Sequence, residues 1–185
     1  ASLTSRELAA VGVAVWQLGV RDPQLFRDAL KALDEAVAAD AGNHDARVQI
    51  GRLFLEKYNS AEARTAFAQV LQINPSHADA LAGLAAVLTF DNQPGGLDTA
   101  RKALANIPAH AGARFLLVHA FLATDAIDSA RVHVHAMVSQ NPQSLETMSA
   151  QAALDLALGN DAGIEVARAR VRPNPIAASA LAVTL

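Results

Sequence analysis

The sequence predicts an all-α protein built from repeated two-helix hairpins. Alanine, the best helix former, accounts for 42 of the 185 residues. Apolar side chains recur at helical intervals, as in Ala63, Phe67 and Val70. A hairpin of two helices cannot bury its apolar face alone, so successive hairpins must stack around a continuous core. The predicted fold is a right-handed superhelical solenoid of about five helix-turn-helix hairpins.

The repeat is marked by four prolines. They are spaced 33, 34 and 33 residues apart: Pro75, Pro108, Pro142 and Pro175. Proline lacks an amide hydrogen and restricts the residue before it, so each one is expected to separate two helices. The stretch 73–88, INPSHADALAGLAAVL, shows such a joint, because a helical pattern follows the Asn-Pro directly. A second series with spacings of 34, 33 and 34 lies near the start of the next helix: Ala46, Ala80, Ala113 and Thr147.

Each repeat also contains a polar break that divides it into two helices. The breaks lie at 58–63, 91–96, 123–128 and 159–163. Ser60, Asp125 and Asp161 are predicted to be the N-caps of the second helices, because short polar side chains accept hydrogen bonds from first-turn amides. The segment DNQPGG at 91–96 is expected to lengthen its turn, and Pro108 to shorten the helix before it.

These signals divide a single predicted domain, residues 1–185. Residues 1–43 form a diverged first repeat or a capping hairpin, supported by Ala29, Leu33 and Ala36. The repeats are then 44–77, 78–110, 111–144 and 145–175. The apolar segment 176–185 is predicted to be a C-terminal cap or the start of a further helix.

Residues 44–77 resemble a tetratricopeptide repeat (TPR). The family's small residue, aromatic, alanine, second aromatic and closing proline correspond to Gly51, Phe54, Ala63, Phe67 and Pro75. Arg47 takes the family's tryptophan position. Residues 111–144 match next best, with Val118 in place of the small residue, through Leu117, Phe121, Ala130, Val134 and Pro142. The units 78–110 and 145–175 are degenerate. The alanine content and the absence of cysteine resemble bacterial members of the family.

Composition excludes several classes of function. The net charge is −3, and nothing indicates nucleic-acid binding or a polybasic membrane surface. No segment reaches 18 uninterrupted apolar residues, so no membrane span is predicted. The apolar stretch 8–20 is not framed as a signal peptide. Without cysteine there are no disulfides or thiolate metal sites, and the compartment stays open between cytoplasm and periplasm.

The histidines are interpreted as structural. His44, His77 and His110 recur at intervals of 33 at the joints, and helix entry is the predicted role. Equivalent residues of neighbouring repeats are expected about 10 Å apart, whereas zinc requires nitrogens at roughly 2 Å. His133 and His135 point to different sides of a helix at i, i+2 spacing, which does not suit a metal pair.

No catalytic motif is present either. The chain contains no glycine-rich phosphate loop, G-x-S-x-G elbow or H-E-x-x-H sequence. An enzyme is therefore not predicted, and no cofactor or metal is expected. The basic residues Arg168, Arg170 and Arg172 are interpreted as cations that favour a helix C-terminus.

The TPR resemblance implies that the first helix of each hairpin lines a concave groove that binds a protein partner. The corresponding positions are Val48, Arg52, Leu55, Asp79, Thr89, Phe90, Phe115, His119 and Leu122. Only Arg52 resembles the groups with which some family members clamp a C-terminal carboxylate, so that subtype is not predicted. A mostly apolar groove suits an amphipathic helix or an apolar peptide strand. Alternatively, Phe90 and Phe115 belong to the core between hairpins.

The predicted function is a non-enzymatic scaffold or adaptor for protein–protein interaction. By analogy with bacterial TPR proteins, it takes part in assembly of an envelope complex. Two alternatives remain: self-association through the apolar face or the tail 176–185, and the accessory domain of a larger enzyme.

Overall fold

The alanine- and leucine-rich periods fold into α-helices in the computed structural model, which describes residues 2–18 and 22–171. Within those residues every regular element is an α-helix. The helices are α1 Ser5–Leu18, α2 Pro23–Ala39, α3 His44–Glu56, α4 Ser60–Ile73, α5 Ala78–Phe90, α6 Gly96–Asn106, α7 Ala111–Ala123, α8 Ile127–Gln140, α9 Leu145–Ala157 and α10 Asp161–Val171. The prediction of an all-α array of two-helix hairpins is confirmed. The predicted segment 176–185 lies outside the described residues, as does Pro175.

The helices belong to two compact units, Ala1–Thr99 and Ala100–Leu185. In the first unit α3 packs on its own partner α4, on the preceding pair α1 and α2, and on the next first helix, α5. In the second unit α7 packs on α8 and α9, and α9 packs on α10. First helices therefore contact each other directly within each unit. The division into repeats at 44, 78, 111 and 145 and the single domain over 1–185 stay predictions.

The first helices α3, α5, α7 and α9 end in the same left-handed turn. The residues with positive φ are Tyr58 (59°), Asn92 (51°), Asp125 (56°) and Gly159 (66°). After each of them, the next amide donates to a carbonyl one turn back, as from Asn59 to Phe54 at 3.0 Å and from Ala126 to Phe121 at 2.8 Å. This is the Schellman pattern, in which the final carbonyls of a helix find donors.

This turn corrects the predicted N-caps. Asp125 closes α7 in the left-handed conformation, which aspartate tolerates better than most residues, and does not open α8. Ser60 and Asp161 are already the first residues of α4 and α10. Asn59 and Ala126 precede α4 and α8, and neither has a side-chain cap bond. Before α2 and α10, Asp22 and Asn160 each accept a first-turn amide.

Side-chain caps occur at all four joints between the hairpins. The amides of the periodic series Ala46, Ala80, Ala113 and Thr147 donate to the side chains of Asn43, His77, His110 and Ser144. His77 and His110 accept through Nδ1, at 3.4 Å and 3.1 Å. Helix entry is thus confirmed for these two histidines. His44 is the first residue of α3, and its ring centroid lies 6.3 Å from that of His77, so the expected spacing of about 10 Å was wrong.

The core of the first unit is built around one aromatic ring. Phe67 is fully buried between α3 and α5, where a Cβ at Gly51 would lie 2.6 Å from the ring and one at Gly83 2.3 Å. Close approach of the two first helices to Phe67 therefore requires glycine at both positions. The predicted core residues Ala29, Leu33 and Ala36 are also fully buried.

The other predicted repeat residues have graded burial. Ala63 and Ala130 are fully buried, whereas Phe54 and Phe121 pack half-buried against the two core clusters. Pro142, like Pro75, is exposed in the loop after a second helix. The long turn at 91–96 is confirmed, because α5 ends at Phe90 and α6 begins at Gly96. α6 has 11 residues and α4 has 14, in agreement with the expected shortening before Pro108.

Candidate protein-binding surface

In the first unit, polar side chains join neighbouring first helices. Trp16 of α1 donates from Nε1 to Oε2 of Glu56 on α3, at 2.7 Å. Arg52 of α3 forms an ion pair with Asp79 of α5, and both side chains are about two-fifths exposed. Two of the predicted groove residues, Arg52 and Asp79, therefore bind each other. Exposed pairs of this kind contribute ~0–1 kcal/mol, so they orient side chains more than they stabilise the fold.

Glu56 is the perturbed acid of this surface. Burial raises the pKa of the Glu56 carboxyl, and the hydrogen bond from Trp16 and the charge of Lys57 oppose this effect. The indole N–H of Trp16 therefore holds the Glu56 carboxyl between α1 and α3.

The most exposed aromatic surface lies beside these contacts. Tyr58, in the turn after α3, is 78% exposed, and Phe90, the last residue of α5, is 52% exposed. Their ring centroids are 5.8 Å apart, with the rings tilted by 33°. We call these two residues the aromatic pair. They form an exposed apolar surface at the ends of two adjacent first helices, and the core alternative is excluded for Phe90.

Of the other predicted groove residues of this unit, two pack into the core and one is exposed. Val48 is only 2% exposed and belongs to the core cluster around Phe67, so it offers no surface to a partner and its assignment to the groove was wrong. Leu55 is half-buried against the same cluster. Thr89 is exposed, and its hydroxyl donates to the Ala85 carbonyl at 2.8 Å, which satisfies it within its own helix.

In the second unit, α7 carries Phe115, His119 and Leu122. The rings of Phe115 and His119 contact each other at 4.3 Å, and Phe115 and Leu122 pack half-buried against the core cluster around Val118. Burial lowers the pKa of His119. These residues therefore serve the core more than an exposed groove, which favours the core alternative for Phe115.

Sequence reasoning missed the residues that give the first unit its surface. Trp16 and Glu56 meet across 40 positions of sequence, and no spacing rule joins them. Tyr58 belongs to a predicted polar break, although an aromatic residue there is the one unusual feature of that segment. An aromatic side chain in a turn has little to pack against, and that signal could have identified it.

The remaining candidates have local partners. Arg168 forms an ion pair with Glu165 on the same helix, at 2.7 Å, and the side chains of Arg170 and Arg172 lie outside the described residues. His133 stacks on Phe121 with centroids 5.6 Å apart, and His135 is exposed. In the described ranges 2–18 and 22–171, no three histidine or acidic side chains converge as metal ligands do. None of the helices in those ranges is both long and apolar enough to span a membrane.

The chain is similar to known proteins in three-dimensional structure. No protein-family model matches the chain, and no curated protein matches it in sequence. A thermophilic TPR protein from Thermus thermophilus is similar over 98% of both chains, with a TM-score of 0.78 and 16% identity. PilW, a widely conserved type IV pilus biogenesis factor, matches 98% of this chain and 91% of its own at a TM-score of 0.72 and 17% identity.

Pseudomonas aeruginosa PilF is similar over 98% of this chain and 82% of its own, with a TM-score of 0.63 and 14% identity. At such identities the similarity concerns the fold. The paired helices, the repeated turns and these structural neighbours together lead to one conclusion: this chain has the all-α fold of bacterial tetratricopeptide repeat proteins.

Proposed function

We propose that this protein is a non-enzymatic scaffold that binds a helix or an extended peptide of a partner protein along the first helices of its N-terminal unit. The aromatic pair carries the proposal. Exposed aromatic side chains, adjacent to each other and flanked by charged groups, are typical anchors of protein interfaces. Burial of one such apolar side chain by a partner contributes about 1.5–3 kcal/mol.

The surroundings of the aromatic pair favour an amphipathic partner. Arg52 and Asp79 form a partly exposed ion pair on the same helices, and Lys57 and Asp91 adjoin Tyr58 and Phe90 in sequence. An apolar stripe of the partner would cover Tyr58 and Phe90, while its polar side meets these charges. The similarity in fold to PilW, a type IV pilus biogenesis factor, supports a role in assembly of a bacterial envelope complex.

Capture of partners by purified variants tests this proposal. Phe90→Asp removes the apolar anchor at an exposed position, so we expect it to keep the helicity and mass of the wild type and to deplete the bound partner by about tenfold or more. Ile73→Asp is the matched control: Ile73 is 62% exposed in the same unit but lies at the end of a second helix, α4.

The measurement is quantitative mass spectrometry of proteins crosslinked to each immobilised variant. A partner that Phe90→Asp and Ile73→Asp lose equally, or that neither loses, would contradict an interface at the aromatic pair.

Self-association is the second candidate. The C-terminal unit exposes aliphatic side chains on α9, the turn after it and α10, with Leu156 47%, Leu158 48% and Val166 52% exposed. Exposed apolar groups that lie together are typical of interfaces between copies. This alternative predicts a mass that increases with concentration and that Leu158→Asp reduces.

A further inference from the structure

Among the described residues of the C-terminal unit, α8, α9 and α10 line an open pocket. Its volume is about 410 Å³. Its walls are largely apolar and include Val138, Pro142, Met148, Val166 and Ala167. The pocket is separate from the aromatic pair, since all of its residues lie in the other unit.

A buried carboxylate lies among these apolar walls. Asp155 is only 6% exposed. Its Oδ1 accepts a hydrogen bond from Asn160 Nδ2 at 2.8 Å, and its Oδ2 accepts one from Gln151 Nε2 at 3.1 Å. Both donors are neutral amides. A charge removed from water and compensated only by neutral donors is expensive, so a cation in the pocket would be strongly favoured.

The repeat shows that this acid replaces an aromatic residue. A similar pocket, of about 330 Å³, lies between α2, α3 and α4 of the N-terminal unit. Its lining residues recur 101 positions later in the C-terminal pocket: Val37 as Val138, Arg47 as Met148, Ile50 as Gln151, Phe54 as Asp155, Glu62 as Gly163 and Thr65 as Val166. The first pocket is lined by an aromatic residue, Phe54, and by charged side chains such as Arg47 and Glu62. The second is lined by an acid, Asp155, and otherwise mostly by apolar side chains.

Close packing of α10 depends on the same acid. A Cβ at Gly163 would lie 2.5 Å from the carboxyl carbon of Asp155. Asn160, held by Asp155, also accepts from the Gly163 amide at 3.3 Å and so caps α10. This structural role needs only a hydrogen-bond acceptor at position 155. It explains neither the negative charge nor the open apolar pocket above it.

We propose that the C-terminal pocket binds a lysine side chain of a partner protein, with its aliphatic stem along Met148 and Val166 and its ammonium group on Asp155. Lysine combines an apolar stem with a compact charge at its end. Both carboxylate oxygens already accept an amide hydrogen. A compact ammonium needs only one of the lone pairs that remain, whereas the bidentate contact that arginine prefers would need one on each oxygen.

Nuclear magnetic resonance titration of the full chain tests this site with three probes. They are N-acetyl-lysine methylamide, its uncharged isostere N-acetyl-norleucine methylamide, and hexylammonium, which lacks a peptide backbone. We expect the capped lysine to shift the amide signals of Met148, Gln151 and Val166 saturably. Its affinity should exceed that of the capped norleucine by about tenfold or more.

Asp155→Asn keeps an acceptor for Asn160 and removes the charge, and the Gln151 amide can turn to accept from the new NH2 group. It should therefore abolish this preference for lysine. Glu165→Gln is the matched control, because it removes one negative charge from an exposed position of α10 and should leave binding unchanged. Val166→Lys provides a second variant: its own ammonium should occupy the pocket and prevent probe binding.

Several results would overturn the proposal. These are equal binding of the capped lysine and the capped norleucine, no effect of Asp155→Asn on this preference, or no saturable shift of the amide signals.

Other results would assign the pocket to a different occupant. Hexylammonium binding about tenfold tighter than the capped lysine would assign the pocket to a free amine. A mass that increases with concentration in the wild type but not in Asp155→Asn would assign it to a second copy. Retained partner capture in Asp155→Asn would separate this site from the aromatic pair.

Discussion

The pockets of the two units occupy the same place in the repeat and have opposite chemistry. In the N-terminal pocket Phe54 meets Phe26 edge-on, with centroids 6.3 Å apart, and Arg47 donates to the Ala41 carbonyl at 3.2 Å. In the C-terminal pocket the equivalent of Phe54 is Asp155, and its partners are amides. The hairpin turn is the same in both, because Tyr58 and Gly159 have similar positive φ values.

This difference shows which interactions define the hairpin. Its geometry depends on turns, caps and small residues at the helix contacts, and these recur in both units. The residues between the helices are then free to diverge. One pocket contributes an aromatic contact to the core, and the other is open for a ligand.

The largest expected effect on stability comes from exchanging the residues at the equivalent positions 54 and 155. Phe54→Asp removes the contact with Phe26 and introduces a carboxylate without a glutamine partner, because Ile50 is the equivalent of Gln151. We expect a loss of about 3 kcal/mol in the free energy of unfolding. Asp155→Phe fills the pocket but removes the acceptor of Gln151 and Asn160, so we expect a smaller loss of about 1–2 kcal/mol. Urea denaturation measures both, and equal losses would refute the asymmetry.

A smaller effect is expected at the small residue of the first helix. A Cβ built on Gly51 would lie 2.6 Å from the Phe67 ring, and Gly83 prevents the ring from moving away. Gly51→Ala should therefore destabilise by about 1–2 kcal/mol, even though alanine is the better helix former.

The equivalent residue of the C-terminal unit is already Ala152, since Arg168 replaces Phe67 there. Ala152→Gly should lose the helix propensity and one buried methyl group, about 1–2 kcal/mol together. A double-mutant cycle of Gly51→Ala and Phe67→Leu tests the cause: if Gly51→Ala costs as much in the Phe67→Leu variant as in the wild type, the ring is not the obstacle.

Removal of the buried charge alone should have a minor effect on folding. Asp155→Asn keeps its size and an acceptor for Asn160, so we expect a change below about 1 kcal/mol in urea denaturation. A loss above about 3 kcal/mol would mean that the carboxylate is required by the fold, and the pocket would then be structural.

The smallest expected effect is a pH dependence of stability that arises from His133. This histidine contacts Phe121, which is the equivalent of Phe54 and Asp155 in the repeat 111–144. The Phe121 ring stacks on His133, whose pKa is lowered by burial and by the nearby charges of Arg114 and Arg101. The unfolded chain therefore binds the proton more readily than the folded chain does. Stability should be complete above the ordinary histidine pKa of about 6.5 and should decrease as the pH falls below it. Denaturation of His133→Gln between pH 7.5 and 5.5 should show a weaker decrease, and an unchanged slope would exclude His133 as a source.

The sequence predicted the hairpins well and their surfaces poorly, for physical reasons. Prolines and alanines repeat because every joint and helix contact has the same backbone requirement, so spacing alone located the helices. The N-caps were misplaced because the left-handed turn at Asp125 depends on backbone dihedral angles, which residue type only weakly determines. Val48 was assigned to the groove by position, yet local packing around Phe67 buries it. The pairing of Trp16 with Glu56 arises only when α1 and α3 stack.

The central claim is that the aromatic pair of the N-terminal unit is available to another protein and is not used by a second copy. Size-exclusion chromatography with light scattering, over a hundredfold range of protein concentration, tests this most directly. The account predicts a constant mass of 19.3 kDa for the wild type and for Phe90→Asp. A mass that increases to a defined oligomer in the wild type and stays at 19.3 kDa in Phe90→Asp would contradict it.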